Sequence, residues 1–176
     1  MDIFHWGIRE SQMEGGRMKP FLNLDELTEF EETSQGSYHE RYVSVAERIG
    51  AQKLGYSLSV IPSGGKACPF HNHHVNEEMF LVLNGEGLLR FGENEYNLKK
   101  HDIIACPPGG REVAHQIINT GTEELRYLSL STNEPHEICE YPDSDKILAF
   151  VGKWGERSLQ HMTRRESAVD YYDGEF

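Results

Sequence analysis

The sequence predicts an all-β fold, a sandwich or barrel of short strands. Three observations carry this. Tyr56, Leu58 and Val60 alternate with Ser57 and Ser59, the period-two pattern of a half-buried strand. Short apolar runs follow one another, each closed by a turn signal. Between about Tyr42 and Leu130, no stretch has helical length or period.

Taken in order, residues 1–17 are polar and contain Gly15 and Gly16, and read as a loose extension; Met18 offers an alternative start. Asn23, with Glu26 three residues on and Leu27 and Phe30 following, predicts one short helix capped by the asparagine. Residues 31–40 are acidic and polar and read as loop. Then come the strand at Tyr56–Val60 and the apolar run Met79–Leu83. The latter closes on Asn84-Gly85, a pair that favours a tight hairpin because both residues tolerate positive φ. Leu88–Phe91, Tyr96–Leu98, Ile103–Cys106, His115–Asn119 and Arg126–Leu130 follow, separated by Gly92-Glu93-Asn94, Lys99–Asp102, Pro107–Gly110 and Thr120-Gly121. After Asn133 the chain is rich in Asp, Glu, Tyr and Pro. Tyr141–Asp145 reads as a turn or extended piece, and Ile147–Val151 with Trp154 as cover for the outside of a barrel. The expected layout is an N-terminal extension with a short helix over 1–41, a barrel over 42–132, and a C-terminal extension packing on it over 133–176.

The 176 residues suffice for one domain with a core. A formal net charge of −12 argues against nucleic acid and anionic membranes, because no basic patch is present to neutralise phosphates. No apolar run reaches the length of a membrane span, and the N-terminus lacks a signal-peptide layout. Cys68, Cys106 and Cys139 are odd in number and scattered, which reads as free thiols in a reducing cytoplasm.

The chemistry concentrates at His71, His73, Glu78 and His115. Histidines two apart share a face only on a β-strand. Glu78 joins them if the chain bends over His74–Glu77. Three imidazoles and one carboxylate suit a first-row transition metal: zinc, iron, manganese, nickel or copper. The bland alternative for the trio is a polar strand end, and for His115 a mouth histidine bonded to a carbonyl. His74 has the wrong parity and reads as exposed. Cys68 and Cys106 read as small buried hydrophobes, and Phe80, Val82, Leu89 and Ile117 as core. Arg111 and Arg90 are candidates for gripping an anionic substrate bidentately, against the commoner fate of surface arginine. Asp102 reads as a turn residue bonded to its own backbone.

These residues resemble the cupins, the small double-stranded β-helix (jelly-roll) family. Gly65, five residues, His71, His73, Glu78 and, six residues beyond, Gly85 match its first motif. Pro107, Gly109, His115 and Asn119 match the second. The glycine expected before Asp102 is His101, which tolerates a left-handed conformation better than most residues. The gap from Gly109 to His115 is longer than usual and carries Arg111 and Glu112. Lys19–Leu27 and Tyr172–Glu175 also resemble a bacterial group of small cupins that carries the label sugar-phosphate isomerase by inference.

The resemblance implies one divalent transition metal (zinc, iron, manganese or nickel) on His71, His73, Glu78 and His115. The six-residue interval to Gly85 selects Glu78 over Glu77. It implies a metalloenzyme acting on a small polar or anionic metabolite, of isomerase type. The alternatives are an iron-dependent dioxygenase and a metal-dependent small-molecule binding module without turnover. It also suggests a homodimer in the cytoplasm, with no nucleic-acid or membrane partner.

Overall fold

A computed structural model describes residues 13–14, 17–153 and 156–176. Most of residues 1–17, and Trp154, lie outside the described residues. The strands are β1 (Met13–Glu14), β2 (Arg17–Met18), β3 (Glu31–Gln35), β4 (Tyr38–Ser44), β5 (Gly55–Ile61), β6 (Asn72–His73), β7 (Glu78–Asn84), β8 (Glu86–Phe91), β9 (Asn94–Lys99), β10 (Ile103–Cys106), β11 (His115–Ile118), β12 (Leu125–Ser131), β13 (His136–Tyr141), β14 (Lys146–Val151) and β15 (Leu159–Arg164). Helical structure among the described residues is confined to single 3-10 turns, including Leu24–Glu26, where the Asn23 side chain accepts from Asp25 N at 2.9 Å.

Two layers face each other. One is a six-stranded antiparallel sheet in the order β10-β7-β12-β5-β4-β3. The other consists of a three-stranded sheet, β11-β8-β9, and a four-stranded sheet, β15-β14-β13-β6. A single antiparallel bridge between His71 and His115 joins these two. Buried residues from both layers meet in one cluster: Ile61, Phe80, Val82, Ile104, Leu125 and Tyr127 from the first, Leu89, Leu98 and Ile117 from the second. This is the all-β jelly roll that the strand pattern predicts.

Three local expectations are corrected. Residues 31–40 are not loop but most of the hairpin β3–β4. The hairpin lies at the sheet edge, where β3 is largely exposed and needs no apolar alternation. Asn84-Gly85 does not close a hairpin, since β7 pairs with β10 and β12 while β8 pairs with β11 and β9. It is the corner at which the chain leaves one layer for the other. Gly85 has φ +85°, and a Cβ there would lie 2.5 Å from Glu124 O. The segment after Asn133, expected as a turn or extended piece and an outer cover, forms three strands, and β13 pairs with β6 beside the histidines.

Candidate metal centre

The site starts from the backbone. His71 N donates to His115 O at 3.1 Å and His115 N to His71 O at 2.7 Å, a reciprocal pair that sets their rings 4.7 Å apart. His73 follows two residues later on β6, held opposite Cys139 of β13. Gly109 N donates to His73 O at 2.8 Å, and Asn72 Nδ2 to Gly109 O at 2.8 Å, fastening the Pro107–Gly109 turn beside the histidines. The chain then bends, and Glu78 opens β7 in the opposite layer.

The side chains converge on one atom. Glu78 Oε2 lies 3.0 Å from His115 Nε2, 3.3 Å from His73 Nε2 and 3.9 Å from His71 Nε2. The opposite ring nitrogens fix the tautomers. His71 Nδ1 faces Pro69 O at 2.9 Å, His115 Nδ1 faces Val113 O at 3.3 Å and His73 Nδ1 faces Glu137 Oε2 at 3.3 Å. Carbonyls and ionised carboxylates only accept, so each Nδ1 carries the proton and each Nε2 turns toward Glu78. His73 Nε2 is buried without a hydrogen-bond partner, its approach to Glu78 lacking hydrogen-bond geometry.

Electrostatics follow from this crowding. Burial, then the neighbouring His115 and His73, pushes His71 down to about 4, so its ring stays neutral at ordinary pH. Burial alone would lower His73, but its contacts with Cys139, Glu137 and Glu78 outweigh burial and raise it well above the usual histidine range. For Glu78 burial is likewise outweighed: the close approaches of His115 and His73 hold it well below the usual carboxylate range. The raised His73 and the lowered Glu78 both favour a cation beside the carboxylate, a charge that the His73 proton supplies. Three imidazole nitrogens and one carboxylate oxygen, borderline donors gathered at one point, fit a divalent first-row metal in the same place. His71, His73 and Glu78 offer donor atoms within 4.8 Å of one another, and His115 reaches them through Glu78.

The surroundings add what sequence reading missed. The three free thiols, far apart in the chain, gather here. Cys68 Sγ lies 3.7 Å from His71 Nδ1, Cys139 Sγ lies 3.4 Å from His73 Nδ1, and Cys106 pairs across the sheet with Glu78. Burial pushes the Cys106 thiol up to about 12, so it packs as a neutral side chain. The Tyr141 ring stacks on His71 at 6.1 Å, and Phe80 leans on His115 at 5.7 Å. No local pattern in the sequence marks Glu137, because His73 and the amides of His74–Asn76 that it meets lie more than sixty residues away. On the six-stranded layer, Tyr127 pairs across the strands with Ser59, and Ser59 favours the charged forms of both Glu40 and Tyr127 against their burial.

The remaining candidates have other partners. His74 is exposed and its Nε2 meets Glu140 Oε1 at 2.9 Å. Asp102 Oδ2 accepts Lys99 N at 2.9 Å within its own turn, and His101 takes φ +77°. Arg111, in a 3-10 turn over Arg111–Val113, donates from Nε to Glu140 Oε2 at 2.9 Å and from Nη2 to Asp145. Arg90 is gripped bidentately by Asp143 at 2.8 and 3.1 Å and stacks on Phe70 at 4.2 Å. Its neighbours Leu89 and Phe91 face the core, so alternation along β8 points Arg90 outward. The structure thus gathers the three histidines and Glu78, and leaves both arginines in carboxylate contacts of their own.

A β-barrel of the jelly-roll type, with a His/Glu cluster drawn from both of its layers, is the class of protein that the fold and the geometry define. Residues 57–131 match the family described as Cupin domain. The chain is 33% identical over 92 residues to an uncharacterized protein of Methanocaldococcus jannaschii, a match covering 50% of this chain and 70% of that protein. It is 30% identical over 116 residues to auxin-binding protein 1 of Arabidopsis thaliana, covering 58% of this chain and 57% of that one. In structure it is similar to a protein of Acidithiobacillus ferrooxidans provisionally designated a sugar phosphate isomerase. That likeness has TM-score 0.75 and 24% identity, and covers 86% of this chain and 96% of that one. The chain belongs to the cupin family. Among the described residues no helix is long and apolar enough to cross a membrane.

Proposed function

We propose that this cupin binds one divalent transition metal on His71, His73, Glu78 and His115, and acts there on a small polar or anionic metabolite as an isomerase of the sugar-phosphate type. The carrying observation is the convergence of three Nε2 atoms on Glu78 Oε2, with His73 Nε2 buried and without a hydrogen-bond partner. Four protein ligands on an octahedral metal leave positions open for substrate oxygens, and the bound metal would polarise them.

The chain's own residues supply the rest. Glu78 is occupied by the histidines and is not a free base. Glu40 is the carboxyl available on the inner face: burial raises its pKa, so it holds a proton closer to neutrality than an ordinary carboxylate. Ser59 beside it works against burial and favours the ionised carboxylate, so the group is suited to releasing a proton as well as holding one. Phe80 and Tyr127, 5.7 Å apart, wall the interior against water. The sugar phosphate isomerase designation of the structural relative agrees with this reading. Three free thiols beside the centre fit a reducing compartment such as the cytoplasm.

Elemental analysis of the purified protein, followed by incubation with aldose and ketose phosphates in D2O, tests the proposal. Expected are about one metal per chain and deuterium entering substrate at the carbon beside the carbonyl. Metal without exchange, and without binding of these compounds at millimolar concentration, would refute the isomerase reading. Iron with oxygen consumption would put a dioxygenase in its place. A second reading, metal-dependent binding without turnover, is favoured by the 30% identity to auxin-binding protein 1. Tight binding of small carboxylates with no chemical change would select it.

A further inference from the structure

The three histidines are not held alike. His71 and His115 turn their Nδ1 atoms to main-chain carbonyls, of Pro69 and Val113. His73 alone turns its Nδ1 to a carboxylate, Glu137 Oε2 at 3.3 Å. Glu137 is 2% exposed, and four backbone amides join His73 in compensating its charge. Oε1 accepts from His74 N (3.1 Å), Val75 N (3.0 Å) and Ile138 N (2.8 Å), and Oε2 accepts from Asn76 N at 2.8 Å. Burial would raise the carboxyl, but the His73 imidazole and the amides of Asn76 and Ile138 outweigh it and hold it down to about 2, so it remains an anion beside His73. Cys139 Sγ, 3.4 Å from the same nitrogen, closes the other side.

We propose that Glu137, on β13, is the positioning residue of the metal centre: by accepting the Nδ1 proton of His73 it fixes that ring and makes it the strongest of the three nitrogen donors. The inference rests on the metal reading above. A carboxylate behind a ligating imidazole raises its basicity, and loss of such a partner commonly costs 10–100-fold in metal affinity. His73, Glu137 and Cys139 also lie together as a possible ligand group. The Glu137 oxygens are already filled by four amides and an imidazole, which makes the group a support for His73 and not a second metal site. The bend at His74–Asn76 that carries the chain to Glu78 is held by the same carboxylate. β13 lies outside the cupin match of residues 57–131, so the C-terminal extension completes a site whose candidate ligands all lie within that match.

The bland alternative is that Glu137 only caps the bend. Cobalt(II) titration of wild type, Glu137→Gln and Thr132→Val separates the two. Thr132 Oγ1 bonds Asn76 Oδ1 and Glu77 N, so its loss loosens the same bend without touching His73. Glu137→Gln is expected to bind cobalt 10–100-fold more weakly with shifted visible bands, and Thr132→Val to keep wild-type affinity and bands at a lower melting temperature. In zinc-loaded wild type, where no variant needs to fold, the Nδ1 proton of His73 should resonate downfield of those of His71 and His115. Equal cobalt affinity and unshifted bands in Glu137→Gln, equal loss in both variants, or three alike Nδ1 resonances would overturn the inference while leaving the metal centre intact. Wild type that binds neither cobalt nor zinc would overturn both.

Discussion

Gly85 and His101 are where single residues decide the path of the chain. Gly85 adopts φ +85° against the backbone of Glu124 and Leu125. Gly85→Val should lower stability by about 2 kcal/mol or more, since a β-branched side chain is strained at that φ and its Cβ would overlap a carbonyl oxygen. An unchanged thermal midpoint would contradict the corner. His101 is exposed at φ +77°, the place where the resemblance calls for glycine. A non-glycine residue there costs roughly 1–2 kcal/mol, partly offset by the greater freedom of glycine in the unfolded chain. His101→Gly should therefore stabilise by about 0.5–1 kcal/mol, read as a higher midpoint at unchanged metal content. Both positive φ angles were legible in the sequence, because turn chemistry is local. That Gly85 turns a corner and closes no hairpin was not, because the choice of partner strands lies in residues far away. The same holds at the site: the spacing of His71, His73 and Glu78 could be read directly, whereas Glu137 meets them only through folding.

The element that changes the picture most is β13. Its sequence shows no clean strand periodicity, because acidic residues are buried on both of its faces. Glu137 and Glu140, three residues apart and therefore on opposite faces, are both buried here, each with strong partners. Glu140 Oε1 takes His74 Nε2, while Oε2 takes Arg111 and Arg165, tying the turn before β11 to the strand ends of the C-terminal sheet. Burial would raise the Glu140 carboxyl, but hydrogen bonds from Arg111, Arg165 and His74 outweigh it and bring it down to about 2. With a folded value below the ordinary 4.5, its contribution is fully present above pH 4.5 and fades as pH falls toward 2. The arginines are half exposed, so solvent screening reduces the effect to about 1–2 kcal/mol. Metal-free wild type should lose that much more stability than Glu140→Gln between pH 5 and pH 2.5, by urea unfolding. Parallel curves for the two proteins would show that the network contributes nothing measurable.

At the scale of the whole molecule, the candidate ligands come from both layers. His71, His73 and His115 belong to the layer containing β6 and β11, and Glu78 to the six-stranded sheet. An ion held by all four would pin the two layers together at one end of the core, so its binding should appear as stability of the entire fold. At free metal one hundred times the dissociation constant, mass action adds about 2.7 kcal/mol, or roughly 5–10 °C in a chain of this size. The metal must also displace a proton from the His73 ring, so affinity should fall about tenfold per pH unit for each proton displaced as pH drops from about 7.5 to 5. His71, neutral down to about 4, adds nothing to that slope in this range. His73→Ala should abolish the metal-induced rise while the metal-free protein still melts cooperatively, because the core around Val82 and Ile117 does not depend on it. A midpoint that ignores zinc, cobalt and manganese at pH 7.5, or a rise that survives in His73→Ala, would mean that the cluster is a proton-holding polar contact between the layers and not a metal centre.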